Sequence, residues 1–272
     1  MIQGITKGVQ FYLREWFRGF AGWYLILIPF IAIAMVGHVP HQVIGCTLIL
    51  HGLLFAPTFI PNASVYGPVM RRFKAEKKEV FLTLDDGPDP VATPRVLELM
   101  AAHQAKGCFF VVGEKARKFP ALVRDIAAQG HELANHTESH RERHFWVLGW
   151  GGVSREVDAC SEAIASAASA PVRWFRAPVG FTNPFVHSVV QKRNLRVLGW
   201  SAWARDTGKA DCDEAVQRVL RAVRPGAVIV LHPEWRAPDG SYPALECFEK
   251  VLVELEAMGY RYALPPTGAF AA

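Results

Sequence analysis

The sequence predicts an α/β fold: a parallel sheet with covering helices, open or closed into a barrel, behind an N-terminal hydrophobic helical hairpin. Three observations predict it. From residue 79 onward, short apolar runs alternate with amphipathic stretches, the pattern of successive βα units. Ahead of them, 52 consecutive residues, 19–70, contain no Asp, Glu, Lys or Arg. With 272 residues, 51% of them hydrophobic and 20% charged, the chain can build one sizeable core plus an appendage. It is too apolar for a disordered or low-complexity protein.

The hydrophobic segment comes first. Two apolar runs, 20–36 and 43–60, flank a short turn that holds Gly37 and Pro40. A spanning helix needs about 20 mostly apolar residues, so residues 1–70 read as a membrane-associated hairpin. A buried soluble hairpin and a signal peptide compete with that reading. Lys7, Arg14 and Arg18 before the first run, and Ala32-Ile33-Ala34 within it, suit a signal peptide, but the second run follows at once. Arg14 and Arg18 precede the hairpin, and Arg71, Arg72, Lys74, Lys77 and Lys78 follow it. The turn between has no Lys or Arg. The positive-inside bias then places both ends, and the domain that follows, on the cytoplasmic face, with a periplasmic or extracellular face as the alternative. Residues 71–78 read as a basic linker, either drawn to anionic lipid or simply solvated.

The net charge of +5 comes without a Lys/Arg block interleaved with aromatics, so nucleic acid is not an expected partner. Five scattered cysteines without a CxxC pair argue against a disulfide framework or a zinc ribbon.

In the remaining chain, strands are expected at 80–84, 108–112, 132–135, 172–176, 196–200 and 227–231, with a last one at 260–263. Helices are expected at 93–103, 121–129, 153–168, 184–193, 213–223 and 242–258. Thr93-Pro94 reads as an N-cap followed by proline at the first helical position. In parallel α/β folds the chemistry sits at the C-terminal strand ends. There the chain carries Asp85-Asp86-Gly87-Pro88, His136 and His140, Arg176, Asp206 and His232. Each is unremarkable alone: a turn, a surface pair or a satisfied core histidine. Together, in this order, they are hard to assign to chance punctuation.

Two histidines four apart on one helical turn can face one metal ion. Two adjacent carboxylates repel, so a cation or an arginine must balance them. Asp86, His136 and His140 then form a three-ligand site with open positions, the arrangement of a catalytic zinc. Asp85 is left as general base, oriented by Arg176. His232 can protonate the leaving group and Asp206 can keep it cationic. An oxyanion would meet the metal and a backbone N–H of the turn at 178–180. This is metal-assisted hydrolysis of an amide or ester.

These residues resemble the polysaccharide deacetylase family, carbohydrate esterase family four, with its nodulation-type chitooligosaccharide deacetylase homology domain. The likeness spans roughly 79–263. Its motifs stand here as Thr83-Leu-Asp-Asp-Gly-Pro88, His136-Thr-Glu-Ser-His140, Arg176-Ala-Pro-Val-Gly180 and Val230-Leu-His232. The resemblance implies a distorted (β/α) barrel of about seven strands and a zinc-like divalent metal held by Asp86, His136 and His140. It implies Asp85 as base, Arg176 as its orienting partner, His232 as acid and the N–H of Val179 in the oxyanion hole.

The chain also departs from the family pattern. Leu84 stands where Phe is usual and Val179 where an aromatic is usual. Thr207 replaces a usual Trp, and Trp203 stands where Asp is common. The catalytic domain is expected to be 79–265, with a C-terminal tail at 266–272. The expected substrate is an N-acylated amino sugar, oligosaccharide or glycolipid. A lipid-linked sugar would account for the hairpin and the basic patch together, with membrane lipid as a partner. The rivals are an exported, anchored deacetylase of peptidoglycan or exopolysaccharide, and a non-catalytic carbohydrate- or membrane-binding protein. Trp146, Trp150 and Trp235 are candidates for stacking on a sugar ring, His144 reads as a surface residue and Glu138 as solvated.

Overall fold

The structure is a computed structural model and describes residues 41–141, 144–208 and 211–270. Its centre is strand β1 (Glu79–Gly87), buried almost throughout, as a strand covered on both faces must be. Successive side chains point to opposite faces. Val80, Leu82 and Leu84 pack among the helices, while Phe81, Thr83 and Asp85 take the other face.

The chain then alternates as the sequence predicts. Helix α2 (Ala92–Ala102) leads to β2 (Gly107–Val111), α3 (Gly113–Lys118), α4 (Pro120–Ala128) and β3 (Glu132–Asn135). There follow α5 (Trp150–Ala167), β4 (Trp174–Phe175), α6 (Val186–Gln191), β5 (Arg196–Val197) and β6 (Ala202–Trp203). Helix α7 (Cys212–Ala222), β7 (Ala227–Leu231), α8 (Pro243–Ala257) and β8 (Arg261–Tyr262) complete it. All pairings between these strands are parallel. Seven strands run in the order β5-β4-β3-β2-β1-β7-β6, and β8 pairs with the start of β1.

This order forces a curl. β5 and β6 are the two edges, yet Val197 and Ala202 are five residues apart in the chain. Six inter-strand spacings of ~4.8 Å would make a flat sheet roughly 29 Å wide. Five residues reach at most about 18 Å. The sheet therefore bends round until residues 198–201 bridge its edges, giving the distorted (β/α) barrel expected from the sequence. Met70 pairs with Leu198 and Arg72 with Ala227, which stitches the approach segment across the same region.

The barrel floor is apolar. Phe81, Phe110, Trp174, Leu198 and Val228 point inward, joined by Met70 and Phe73 from the approach segment and by Phe270 from the C-terminal stretch. Phe270 packs its ring on Trp174 at 4.8 Å and on Phe73 at 5.9 Å between centroids. The residues read as linker and tail thus contribute to the core, so the folded unit extends beyond 79–265 at both ends. The second apolar run forms α1 (His41–Phe55), and a 3-10 turn at Ala56–Phe59 holds Pro57. Proline cannot continue a helix ladder. Among the described residues no helix is long and apolar enough to cross a membrane. The first run, 20–36, lies outside the described residues, and the hairpin with it.

Several local expectations are corrected. The strand expected at 196–200 stops at Val197, where the carbonyls of Leu198 and Gly199 accept from the Arg176 side chain, and β6 at 202–203 lies beyond the expected strand. Thr93 is not the N-cap. Helix α2 starts one residue earlier, and Asp89 Oδ1 accepts from the N–H groups of Val91 and Ala92 at 2.8 and 2.9 Å. Helix α3 is unannounced in the sequence, since only Gly113 and Ala116 bury and no apolar period results.

Candidate active site

The same period of two that builds the floor builds the site above it. Inward positions run from Phe81 through Thr83 to Asp85, from Ala134 to His136, from Trp174 to Arg176 and from Val228 through Val230 to His232. Each series starts apolar and ends polar. Four strand ends thereby place acid, base and cation chemistry over one opening, beside a cavity of about 410 Å³.

Asp86, His136 and His140 come together as the sequence predicts, with one ligand atom from each lying within 4.8 Å of the others. Asp86 Oδ1 is 3.4 Å from His136 Nε2 and 3.0 Å from His140 Nε2. Two ligands ~2.1 Å from a tetrahedral zinc lie about 3.4 Å apart. Asp86 Oδ1 is shielded from water and accepts no well-formed hydrogen bond among the described residues. An orphaned carboxylate oxygen between two imidazole nitrogens fits a divalent cation.

The histidines do not share a helical turn, contrary to expectation. They lie in a loop in which Thr137 (φ 70°) and His140 (φ 44°) are left-handed. Side chains hold that loop. Asn135 Oδ1 accepts from Thr137 N–H at 3.0 Å, and Thr137 Oγ1 from His140 N–H at 3.1 Å. Glu156 of α5 accepts from the N–H and the hydroxyl of Ser139 at 2.9 and 2.7 Å. His136 Nδ1 bonds the Arg176 carbonyl at 2.9 Å, which leaves Nε2 for the metal. Asp86 and Val179 also have positive φ, 75° and 59°. Backbone strain of this kind gathers at functional sites.

The charges follow from the packing. Burial alone would raise Asp86, but its contact with His136 and the charges of His140 and His232 outweigh it and hold the carboxyl well below the usual range. Burial, reinforced by the His136 charge, pushes His140 down to about 4. It is neutral near pH 7, as a metal ligand must be.

Asp85 is buried and lies 2.6 Å from Arg176 Nη1. The guanidinium is fixed on every side. Nη1 also donates to Thr83 Oγ1 at 2.9 Å, and Nε and Nη2 each donate at 3.0 Å to the carbonyls of Leu198 and Gly199. Its carbon rests 4.1 Å over the Phe110 ring. The other oxygen of Asp85 faces the opening, 3.8 Å from His136 Nε2 and 4.0 Å from His232 Nε2.

Asp206 Oδ1 is 2.9 Å from His232 Nδ1, and Oδ2 accepts from the His232 N–H at 2.6 Å. Burial would lower His232, but the charge and hydrogen bond of Asp206, with smaller help from Asp86 and Asp85, raise it to about 9. Val179 lines the cavity, followed by Gly180, where a Cβ would strike the Trp200 ring. Trp200, Trp203, Trp235 and Thr207 complete the lining. Trp146 instead packs on Phe59, and Trp150 lies under the Lys192 ammonium at 4.4 Å. His144 is exposed.

The sequence reading missed three contributors and misplaced one. Glu156 braces the histidine loop from α5. Lys115 donates to the Asp86 carbonyl. Glu234 is buried against Gly87 and accepts from the Thr93 hydroxyl, and burial pushes it up to about 8. Its place two residues beyond His232 is the one signal that could have found it. Glu138, read as solvated, pairs with Arg117 and packs against Gly113.

A parallel barrel whose strand ends bring carboxylates, imidazoles and a buried guanidinium to one cavity fits a hydrolase. The sequence profile of the polysaccharide deacetylase family matches residues 73–198. A chitooligosaccharide deacetylase of Sinorhizobium fredii is 42% identical over 154 residues, covering 56% of this chain and 71% of the relative. A solved peptidoglycan N-acetylglucosamine deacetylase, in complex with an N-hydroxybenzamide derivative, is 29% identical with a TM-score of 0.64, over 71% of this chain and 88% of that one. A family 4 carbohydrate esterase from Streptomyces lividans, in complex with acetate, is 28% identical with a TM-score of 0.63, over 73% of this chain and 98% of that one. The chain belongs to the polysaccharide deacetylase family. Its class of activity is that of a carbohydrate de-N-acetylase, a hydrolase of non-peptide carbon–nitrogen bonds.

Proposed function

We propose that the protein removes an N-acetyl or N-formyl group from an amino sugar, that the reaction depends on a divalent metal, and that the sugar is carried on a lipid at a membrane. The observation that carries the chemistry is the facing pair Asp85 and His232, 4.0 Å apart beside the Asp86–His136–His140 trio. Two nitrogens and one carboxylate oxygen suit Zn²⁺. Asp86, His136 and His140 would hold the ion, which would supply Lewis acidity to the hydrolysis.

The chain's own groups do the rest. Asp85 takes a proton from the water as its oxygen adds to the acyl carbon. Arg176 holds Asp85 in place through the 2.6 Å bond. The N–H of Val179 donates to the developing oxyanion. His232, held cationic by Asp206, gives its Nε2 proton to the sugar nitrogen as the C–N bond breaks. The products are the free amine and the carboxylic acid.

The named substrates of the relatives, chitooligosaccharide and peptidoglycan N-acetylglucosamine, support the amino-sugar class. The lipid carrier is favoured by the uncharged run of 52 residues, whose end packs beside the mouth. An exported deacetylase of peptidoglycan or exopolysaccharide is the second reading, favoured by the same relatives. A non-catalytic binding protein is disfavoured, because base, acid and ligand residues are all present. The test is acetate and formate release from chitooligosaccharide, peptidoglycan fragments and polyprenyl-linked N-acylhexosamine, with and without chelator and beside Asp85→Asn. Chelator-sensitive release that the variant loses supports the reaction. Preference among the three substrates selects the reading, and no release from any of them overturns the enzyme.

A further inference from the structure

Large apolar side chains standing in water are concentrated in one part of this molecule. Ile49, Leu50 and Leu53 of α1 are 65%, 55% and 67% exposed, and Phe59, Ile60 and Val65 beyond it are 49%, 56% and 71% exposed. Cys46, Ile49, Leu50 and Leu53 follow the i, i+3, i+4, i+7 spacing of a single helix face. Single exposed hydrophobics are ordinary, but a contiguous set marks a contact surface.

The set is tied to the catalytic mouth. Asn62 N–H donates to the Gly180 carbonyl at 3.4 Å, and its side-chain amide donates to the Trp200 carbonyl at 3.2 Å. Phe59 packs edge-on against Trp146 and Phe181, with centroids at 4.8 and 6.0 Å. Gly180 and Trp200 line the cavity, as does Val179, itself 42% exposed. Phe59 and Asn62 therefore fasten the end of the apolar segment 46–65, here called the collar, to one lip of the active site.

The collar carries no charge, and the preceding chain, uncharged back to Gly19, enters it at His41. The basic stretch lies at the other end of the barrel. Arg72 pairs with Ala227, the first residue of β7, and Lys78 reaches the Met258 carbonyl near the start of β8. Helix α1, 15 residues long, spans about 22 Å at 1.5 Å per residue. That is short of the ~30 Å hydrocarbon core, and the helix is apolar around its whole circumference.

We infer that the collar seats the mouth of the active site on the apolar interface of a lipid bilayer, so that the enzyme takes amino sugars displayed at that surface. The contact is apolar and lies at the mouth, and the basic stretch faces away from it. This rests on the lipid-carried reading of the substrate and adds how the site reaches it.

The experiment uses the full chain and the double variant Ile60→Asp, Val65→Asp. Both positions are exposed and outside the catalytic groups. Each protein is given a soluble N-acetylchitooligosaccharide, and the same sugar on an alkyl chain in phosphatidylcholine vesicles. Amide hydrogen exchange is followed with and without empty vesicles. The expected result is a tenfold or greater loss on the vesicle substrate with the soluble rate unchanged, and vesicle-dependent protection of 59–66 but not 71–78. Equal rates for both proteins on the vesicle substrate would overturn the inference. So would protection confined to 71–78, or protection of 59–66 that grows with protein concentration without vesicles, which marks a second copy of the chain as the occupant. If the parent turns over neither substrate, the deacylase reading fails, while the exchange pattern still decides the collar.

Discussion

His232 is cationic at neutral pH because Asp206 binds it twice, and that dependence can be measured. Its raised value, about 9 against an ordinary 6.5, means the folded state holds the proton more tightly than the unfolded state does. The stabilisation is full below pH 6.5 and is lost as pH rises through about 9. Asp206→Asn removes the main raising influence. The alkaline limb of the kcat profile should move down by a unit or more, and the melting-temperature advantage between pH 7 and 9 should shrink. Asp85→Asn keeps the shape but removes the base, and should cost ~10²–10⁴ in kcat with little change in circular dichroism. Glu234 is a second titration with a readable sign. Its folded value of about 8 exceeds the ordinary 4.5, so stability falls as pH rises through that window. Glu234→Gln mimics the protonated acid, and its unfolding midpoint should be flatter with pH than the parent's.

At the scale of elements, α5 braces the loop of the proposed histidine ligands from outside. Glu156 grips Ser139, midway between His136 and His140, without touching either ring. Partners at this remove typically set ligand orientation and cost 10–100-fold in affinity when lost. Glu156→Ala should therefore weaken Zn²⁺ binding by roughly 10–100-fold in a calorimetric titration, and Glu156→Gln should recover part of it.

The elements also separate what the sequence reveals from what it hides. β1, β2 and β7 were legible because each is built on a nearly continuous apolar run. The His-x-x-x-His spacing brought the two histidines to one point, yet the reason was different. A left-handed loop, fixed by Asn135, Thr137 and Glu156, brings the rings together, and no spacing rule encodes that. The short β6 was not expected, and the early end of β5 was illegible because it depends on Arg176, more than twenty residues away, capturing two carbonyls. Glu234 and Lys115 were missed for a related reason, since their partners come from distant parts of the chain.

For the whole molecule, two buried histidines away from the mouth contribute to acid sensitivity. Burial pushes His131 and His187 down to about 4 each. The unfolded chain takes up protons first, so stability is full above pH 6.5 and falls as pH drops toward 4, by up to about 3 kcal/mol per group. Replacing either with Gln should reduce the acid sensitivity of the urea midpoint. The core, by contrast, does not run through the ligand trio, because the apolar floor lies below it and the helix-packed cluster outside it. Chelation should abolish turnover while leaving near-ultraviolet dichroism intact.

The seam between β5 and β6 has one more consequence. At residues 198–199 the barrel is closed by a guanidinium, and that same group holds Asp85, the proposed base. Active-site residues commonly exchange stability for activity. Arg176 offers no such exchange, since lysine keeps its charge but not the fork that spans both tasks. Selection for turnover at this position is also selection for a shut barrel, so stabilising the fold and preserving the reaction demand the same side chain.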